Sequence, residues 1–178
     1  MASRSAGIQS RETQGMDPRG ALRGTDRMTI HSTLAATALG WTAGMRSMTA
    51  PALLARALPR ASGSLLSRPT VRAGLAVAAL GEMAADKHPA IPSRTSPPAL
   101  IGRLGSGLLV GATIASARGD SRLAGALIGG AAAVASSFAM ERLRAEAGRQ
   151  SGAPDAVVAV GEDALAVALG SAGASAVR

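Results

Sequence analysis

The sequence predicts an all-α fold: a polytopic bundle of about five Ala/Gly-rich transmembrane helices, some short or kinked, behind a disordered N-terminal tail. Three observations predict it. Among 178 residues, 41 Ala and 22 Gly make up about 35% of the chain. Only Trp41 and Phe138 are aromatic, so a soluble core would lack most of the large side chains that contribute roughly 1.5–3 kcal/mol each when buried. The net charge of +8, from 18 Arg and one Lys against 11 acids, punctuates apolar stretches instead of forming one stripe. Small side chains suit helices that pack closely in lipid, where dispersion contacts hold them together.

Residues 1–27 carry five Arg, three acids and no apolar periodicity, which predicts a disordered basic tail. Met28 follows it directly and is an alternative start, so the membrane helical domain is placed at 28–178. Neither the tail nor the weak apolar stretch Leu34 to Gly44 combines a basic flank with an apolar run, and retention of the N-terminus is expected over cleavage.

Five segments follow. The first, His31 to Leu58, is interrupted by Arg46 and Pro51, and Pro51 should kink it by removing a backbone donor. The second, Val71 to Asp86, carries Glu82. Between it and the third lies His88 to Leu100, whose four prolines forbid a regular helix. That stretch is either a stiff connector or a loop folded on the bundle mouth, with Ser93, Arg94 and Thr95 as donors to an anion. The third segment, Ala99 to Ala117, carries Arg103. The fourth, Leu123 to Met140, is uncharged throughout and ends at Glu141-Arg142. The fifth, Ala156 to Val177, contains Glu162 and Asp163.

A bilayer core needs roughly 20 helical residues. By that measure the fourth and fifth segments cross, the first crosses with a kink, and the second and third are marginal. Short or broken segments can be buried or re-entrant where protein surrounds them. Close packing is signalled by Gly40 with Gly44, by Gly107 with Gly111, and by the small-residue edge Gly125, Gly129, Ala133 and Ser137.

With five crossings, the tail, Lys87, Arg94, Arg103, Arg142, Arg144 and Arg149 fall on one side. Arg56, Arg60, Arg68, Arg72, Arg118, Arg122 and Arg178 fall on the other. Eleven against seven favours a cytoplasmic N-terminus, although the excess comes from the tail.

An isolated charge at mid-bilayer costs on the order of 2.5–3.5 kcal/mol, so it must pair, face water, snorkel or be neutral. The polar cluster therefore comprises Arg46, Ser47, Glu82, Asp86, Lys87, Arg103, Glu162 and Asp163. Glu82 and Asp86 would share a helix face. Glu162 and Asp163, about 100° apart, cannot serve one partner equally. The economical pairing has Arg46, with Arg103, neutralising Glu82 and one of Glu162 or Asp163. Such a cluster fixes helix register, marks a path for a proton, an ion or a small solute, or reflects second and fifth segments that lie at the interface with their acids solvated.

Several chemistries are excluded or disfavoured. Without Cys there is no disulfide, thiol nucleophile or thiolate metal site. His31 and His88 are isolated, so no metal is expected. Phosphate-loop, dinucleotide and HExxH motifs are missing, so no cofactor and no enzymatic activity are expected, with a carboxylate-based lipid-modifying enzyme as the alternative left open. Aromatic residues do not alternate with the arginines, which disfavours nucleic acid. The partners expected are the lipid bilayer and further copies of the chain.

The series Gly44 to Leu58, Gly81 to Leu100, Ile101 to Ala112 and Pro154 to Leu169 resembles the bacterial domain-of-unknown-function 4126 family of small membrane proteins. Its sharpest elements are the Gly-x-Arg-Ser turn at Gly44 to Ser47, Glu82 with Asp86-Lys87-x-Pro, and Glu162-Asp163. The resemblance implies an integral membrane protein and names no activity. Two other readings stand beside a channel or carrier: a membrane scaffold or assembly factor without transport, and a soluble basic helical protein that binds polyanions.

Overall fold

The computed structural model describes residues 28–85, 95–150 and 155–177. The tail, Asp86, Lys87, Ser93 and Arg94 lie outside the described residues. Six α-helices follow in order: α1 (Ile30–Met45), α2 (Thr49–Ala57), α3 (Pro69–Ala85), α4 (Pro97–Ala117), α5 (Arg122–Gln150) and α6 (Asp155–Ala174). Short 3-10 turns lie at Leu65–Ser67 and Ser175–Val177. The fold is all-helical among the described residues.

Among the described residues, three helices rather than about five are long and apolar enough to cross a membrane: Pro97–Ala117, Arg122–Ala147 and Val157–Val177. Helix α1 has 16 residues and α3 has 17, each a little short. Helix α5 runs for 29 residues, well past the Glu141-Arg142 pair at which the apolar stretch ends. Its extension is built from strong helix formers and carries an Arg149–Glu146 ion pair one turn apart, both of which favour continued helix.

The first segment is not one kinked crossing. Helix α1 ends at Arg46, whose backbone is extended (φ −145°, ψ 105°), and the chain reverses through Ser47 and Met48 into α2. Pro51 is the third residue of α2, where the first-turn N–H groups have no intrahelical partner, so proline breaks nothing there. The two helices form a hairpin. Thr42 on the rising arm and Leu53 on the falling arm both abut Gly170 of α6.

Small residues set the closeness of the bundle. A Cβ on Gly40 or Gly107 would run into the carbonyl of Gly129, and one on Gly111 into the carbonyl of Gly125. Gly44 lies against Ala133 and Ser136. Helix α5 thus presents Gly125, Gly129 and Ala133 to α1 and α4 at backbone distance, and Ser137 continues the edge by donating to the Gly44 carbonyl at 3.3 Å. The core between the helices is correspondingly modest: Leu39, Leu54, Val110 and Ile114 are fully buried.

The outer surface has the opposite character. Ile30, Val77, Leu80, Ile101, Leu123, Val157 and Val160 are all more than half exposed, whereas Ser32, Thr42, Arg46, Arg103, Ser106, Ser136, Ser137 and Glu162 are buried. Apolar outside and polar within is the arrangement expected when the surrounding solvent is hydrocarbon.

The described chain starts and ends at the same end of the bundle. There Asp120, in the α4–α5 turn, accepts from the Thr29 hydroxyl at 3.0 Å, and Arg118 donates to the Ala176 carbonyl at 2.6 Å. Donation from Ser32, then from Thr29, with Arg118 nearby, holds the Asp120 carboxyl below its ordinary range. A carboxyl lowered by folding contributes stability above its unfolded value, near 3.9, and loses it as pH falls through the folded value. Acidification below about pH 4 should therefore loosen the start of α1, and Asp120→Asn should remove this acid sensitivity in amide exchange of residues 30–33. Acid-induced loosening that persists in the variant would refute the docking.

Candidate functional site

The hairpin tip is where the polar residues converge. Reversing a helix inside an apolar bundle leaves backbone donors and acceptors that water cannot satisfy. Neighbouring helices satisfy them here. Glu82 reaches across from α3, with Oε1 accepting from the Ser47 N–H at 2.8 Å and from the Ser47 hydroxyl at 2.7 Å. Its Oε2 accepts from the Met48 N–H at 2.8 Å. A carboxylate is thereby seated at the N-terminal end of α2, where the helix dipole favours negative charge.

The acceptors of the break are covered by hydroxyls. Ser106 of α4 donates to the Ser47 carbonyl at 2.5 Å. On α5, Ser136 donates to the Trp41 carbonyl at 2.7 Å and Ser137 to that of Gly44. Thr42 bonds the Ala38 carbonyl at 2.9 Å and lies 3.5 Å from the Ala166 carbonyl. Thr49, the first residue of α2, is 2% exposed, and its hydroxyl has no hydrogen-bond partner.

Charge is paired across the same region. The Arg46 guanidinium, 2% exposed, forms an ion pair with Asp163 of α6. Glu162, the adjacent residue, is 7% exposed and lies 3.6 Å from Arg144 of α5. The two neighbouring acids thus serve different partners on different helices, as their angular separation requires. Arg103, buried in α4, is one turn from Ser106. Thr95 is half-buried in the turn before α4.

Sequence reasoning nominated Arg46, Ser47, Glu82, Glu162 and Asp163, and the structure gathers Arg46 with Asp163 and Ser47 with Glu82. It missed Arg144, which sits beyond the apolar stretch and looks like loop. The serines were also passed over, although a hydroxyl in an apolar helix is a legible sign of backbone bonding. Among the described residues, no group of three or more His, Asp or Glu is placed to hold a metal ion.

No protein-family model, curated protein or solved structure matches the chain. The site's chemistry therefore rests on its own geometry: a backbone break enclosed by helices, one carboxylate held by three donors, and the Arg46–Asp163 and Glu162–Arg144 ion pairs beside it.

Proposed function

We propose that the protein is a small integral membrane protein in which the α1–α2 hairpin is re-entrant and its charged tip forms a polar path for a proton or a small ion. One observation carries this reading. An interrupted helix inside an apolar bundle presents open backbone groups and ionisable side chains together, the combination from which discontinuous membrane helices build transport sites. The resemblance to the domain-of-unknown-function 4126 family implies the same placement in a bacterial inner membrane.

A second reading is favoured by the saturation of Glu82: with three donors on its two oxygens, the cluster is a clasp fixing the hairpin within a scaffold or assembly factor. Purified protein in liposomes separates the two. Transport predicts that imposed proton or alkali-cation gradients collapse several-fold faster than in empty vesicles, and that Asp163→Asn or Glu82→Gln stops this while the helical signal is kept. Absence of flux under every gradient would refute the path and leave the clasp. Recovery of the chain in buffer without detergent, with salt-sensitive polyanion binding, would refute both.

A further inference from the structure

The end of the bundle that gathers Thr29, the α4–α5 turn and Ala176 is strongly basic. Arg56 lies in the last turn of α2, Arg60 and Arg68 lie in the α2–α3 connection, Arg72 lies in the first turn of α3, and Arg118 and Arg122 flank the α4–α5 turn, where Asp120 has Arg118 beside it. Two adjoining cavities open there. One, of about 450 Å³, lies between the 58–66 loop and α4, with Leu58, Leu65, Leu109 and Thr113 along it and Arg122 at its edge. The other, of about 430 Å³, is lined by Arg60, Ser67 and Arg68. They share Gly63 and Ser64.

The wall between them is a fixed structure. Gly63 takes a left-handed backbone (φ 66°), the Ser64 side chain accepts from the Leu66 N–H at 3.3 Å, and the Ser67 hydroxyl donates to the Ser64 carbonyl at 2.6 Å. This turn drives Leu66 into the core and leaves Leu65 61% exposed beside the apolar cavity. Arg60, Arg68 and Arg122 stay exposed at the rim.

We propose that this pair of cavities binds an anionic glycerophospholipid, its phosphate against Arg60 and Arg68 and an acyl chain between Leu65 and Leu109. Charge complementarity and the join of an apolar slot to a cationic one select this occupant: a free anion would use only the second cavity, and a neutral lipid would gain nothing from the arginines. The inference rests on the reading of the chain as a membrane protein.

The test uses full-length protein in neutral detergent, titrated with phosphatidylglycerol, with phosphatidylcholine of the same acyl chains, and with inorganic phosphate, read by native mass spectrometry and thermal shift. Phosphatidylglycerol should be retained at least tenfold over phosphatidylcholine. Arg60→Gln with Arg68→Gln should abolish that preference, and Leu109→Trp, which fills the slot, should weaken retention of the lipid. Arg142→Gln with Arg149→Gln, on the part of α5 remote from this end, should leave both unchanged. Equal retention of the two lipids, or equal loss in both arginine pairs, would overturn the site. Stabilisation by inorganic phosphate equal to that by phosphatidylglycerol would overturn the lipid assignment. Carbonate extraction distinguishes the failures: a chain that stays in the membrane yet shows no lipid preference loses only this site, whereas one released by carbonate loses the membrane reading as well.

Discussion

Gly129→Leu should abolish assembly of the bundle, and even Gly129→Ala should destabilise it by about 1–3 kcal/mol, the range for overpacking a close contact. Gly129 lies where three helices meet. The Gly40 and Gly107 positions each face its carbonyl, and a Cβ on Gly129 itself would strike the Gly107 carbonyl and crowd the α-carbon of Gly111. Backbone atoms cannot rotate away as a flexible side chain would, so α1 or α4 must move as a body. Gly74 and Gly102 provide the contrast, because nothing lies within 4 Å of a Cβ at either. Gly74→Ala and Gly102→Ala should be neutral or stabilising by up to about 1 kcal/mol through helix propensity. Reversible unfolding in detergent, followed by helical signal, reads both classes. If all these variants behaved alike, the three-helix seam would be wrong.

Arg46→Ala should be the most damaging truncation at the hairpin tip, costing about 3–5 kcal/mol, because it strands a carboxylate in a water-poor interior. Asp163→Ala should cost a similar amount by stranding the guanidinium. The double variant should cost less than the sum, with a coupling of roughly 0.5–3 kcal/mol. Coupling between Arg46 and Asp163 should exceed that between Arg46 and Glu82, since the Glu82 oxygens are occupied by Ser47 and Met48. Additive losses for Arg46 and Asp163 would eliminate the pair. Replacing both by apolar residues of similar volume should restore much of the stability and, on the transport reading, none of the flux.

Much of the fold was legible in the chain. The long apolar run from Ala99 to Ala117 marks α4, although the helix starts two residues earlier, at Pro97, inside the stretch whose prolines predict no regular helix, because proline fits the first turn. The Gly125, Gly129, Ala133 and Ser137 edge marks the face of α5 that takes two neighbours. The fate of the first segment was not legible. Pro51 is the strongest local breaker there, yet the chain turns at Arg46 to Met48, because Glu82, Ser106 and Ser137 wait to bond the groups such a turn exposes. Those partners are 34 to 93 residues away. With the hairpin folded back, the start of α1 lies at the end that carries Arg118, where Thr29 meets Asp120.

The sites divide in the same manner. That Arg46, Glu82, Glu162 and Asp163 require company follows from the cost of charge in an apolar stretch, a property of composition. Which company each keeps does not, because a guanidinium accepts any carboxylate that packing brings near. The sequence by itself determined that the helices are small-faced, apolar outside and dependent on paired charges, since these follow from residue type and helical spacing. Only the tertiary structure decided that α1 and α2 form a hairpin and that Arg46 answers Asp163, because both depend on which distant groups supply the bonds that water cannot.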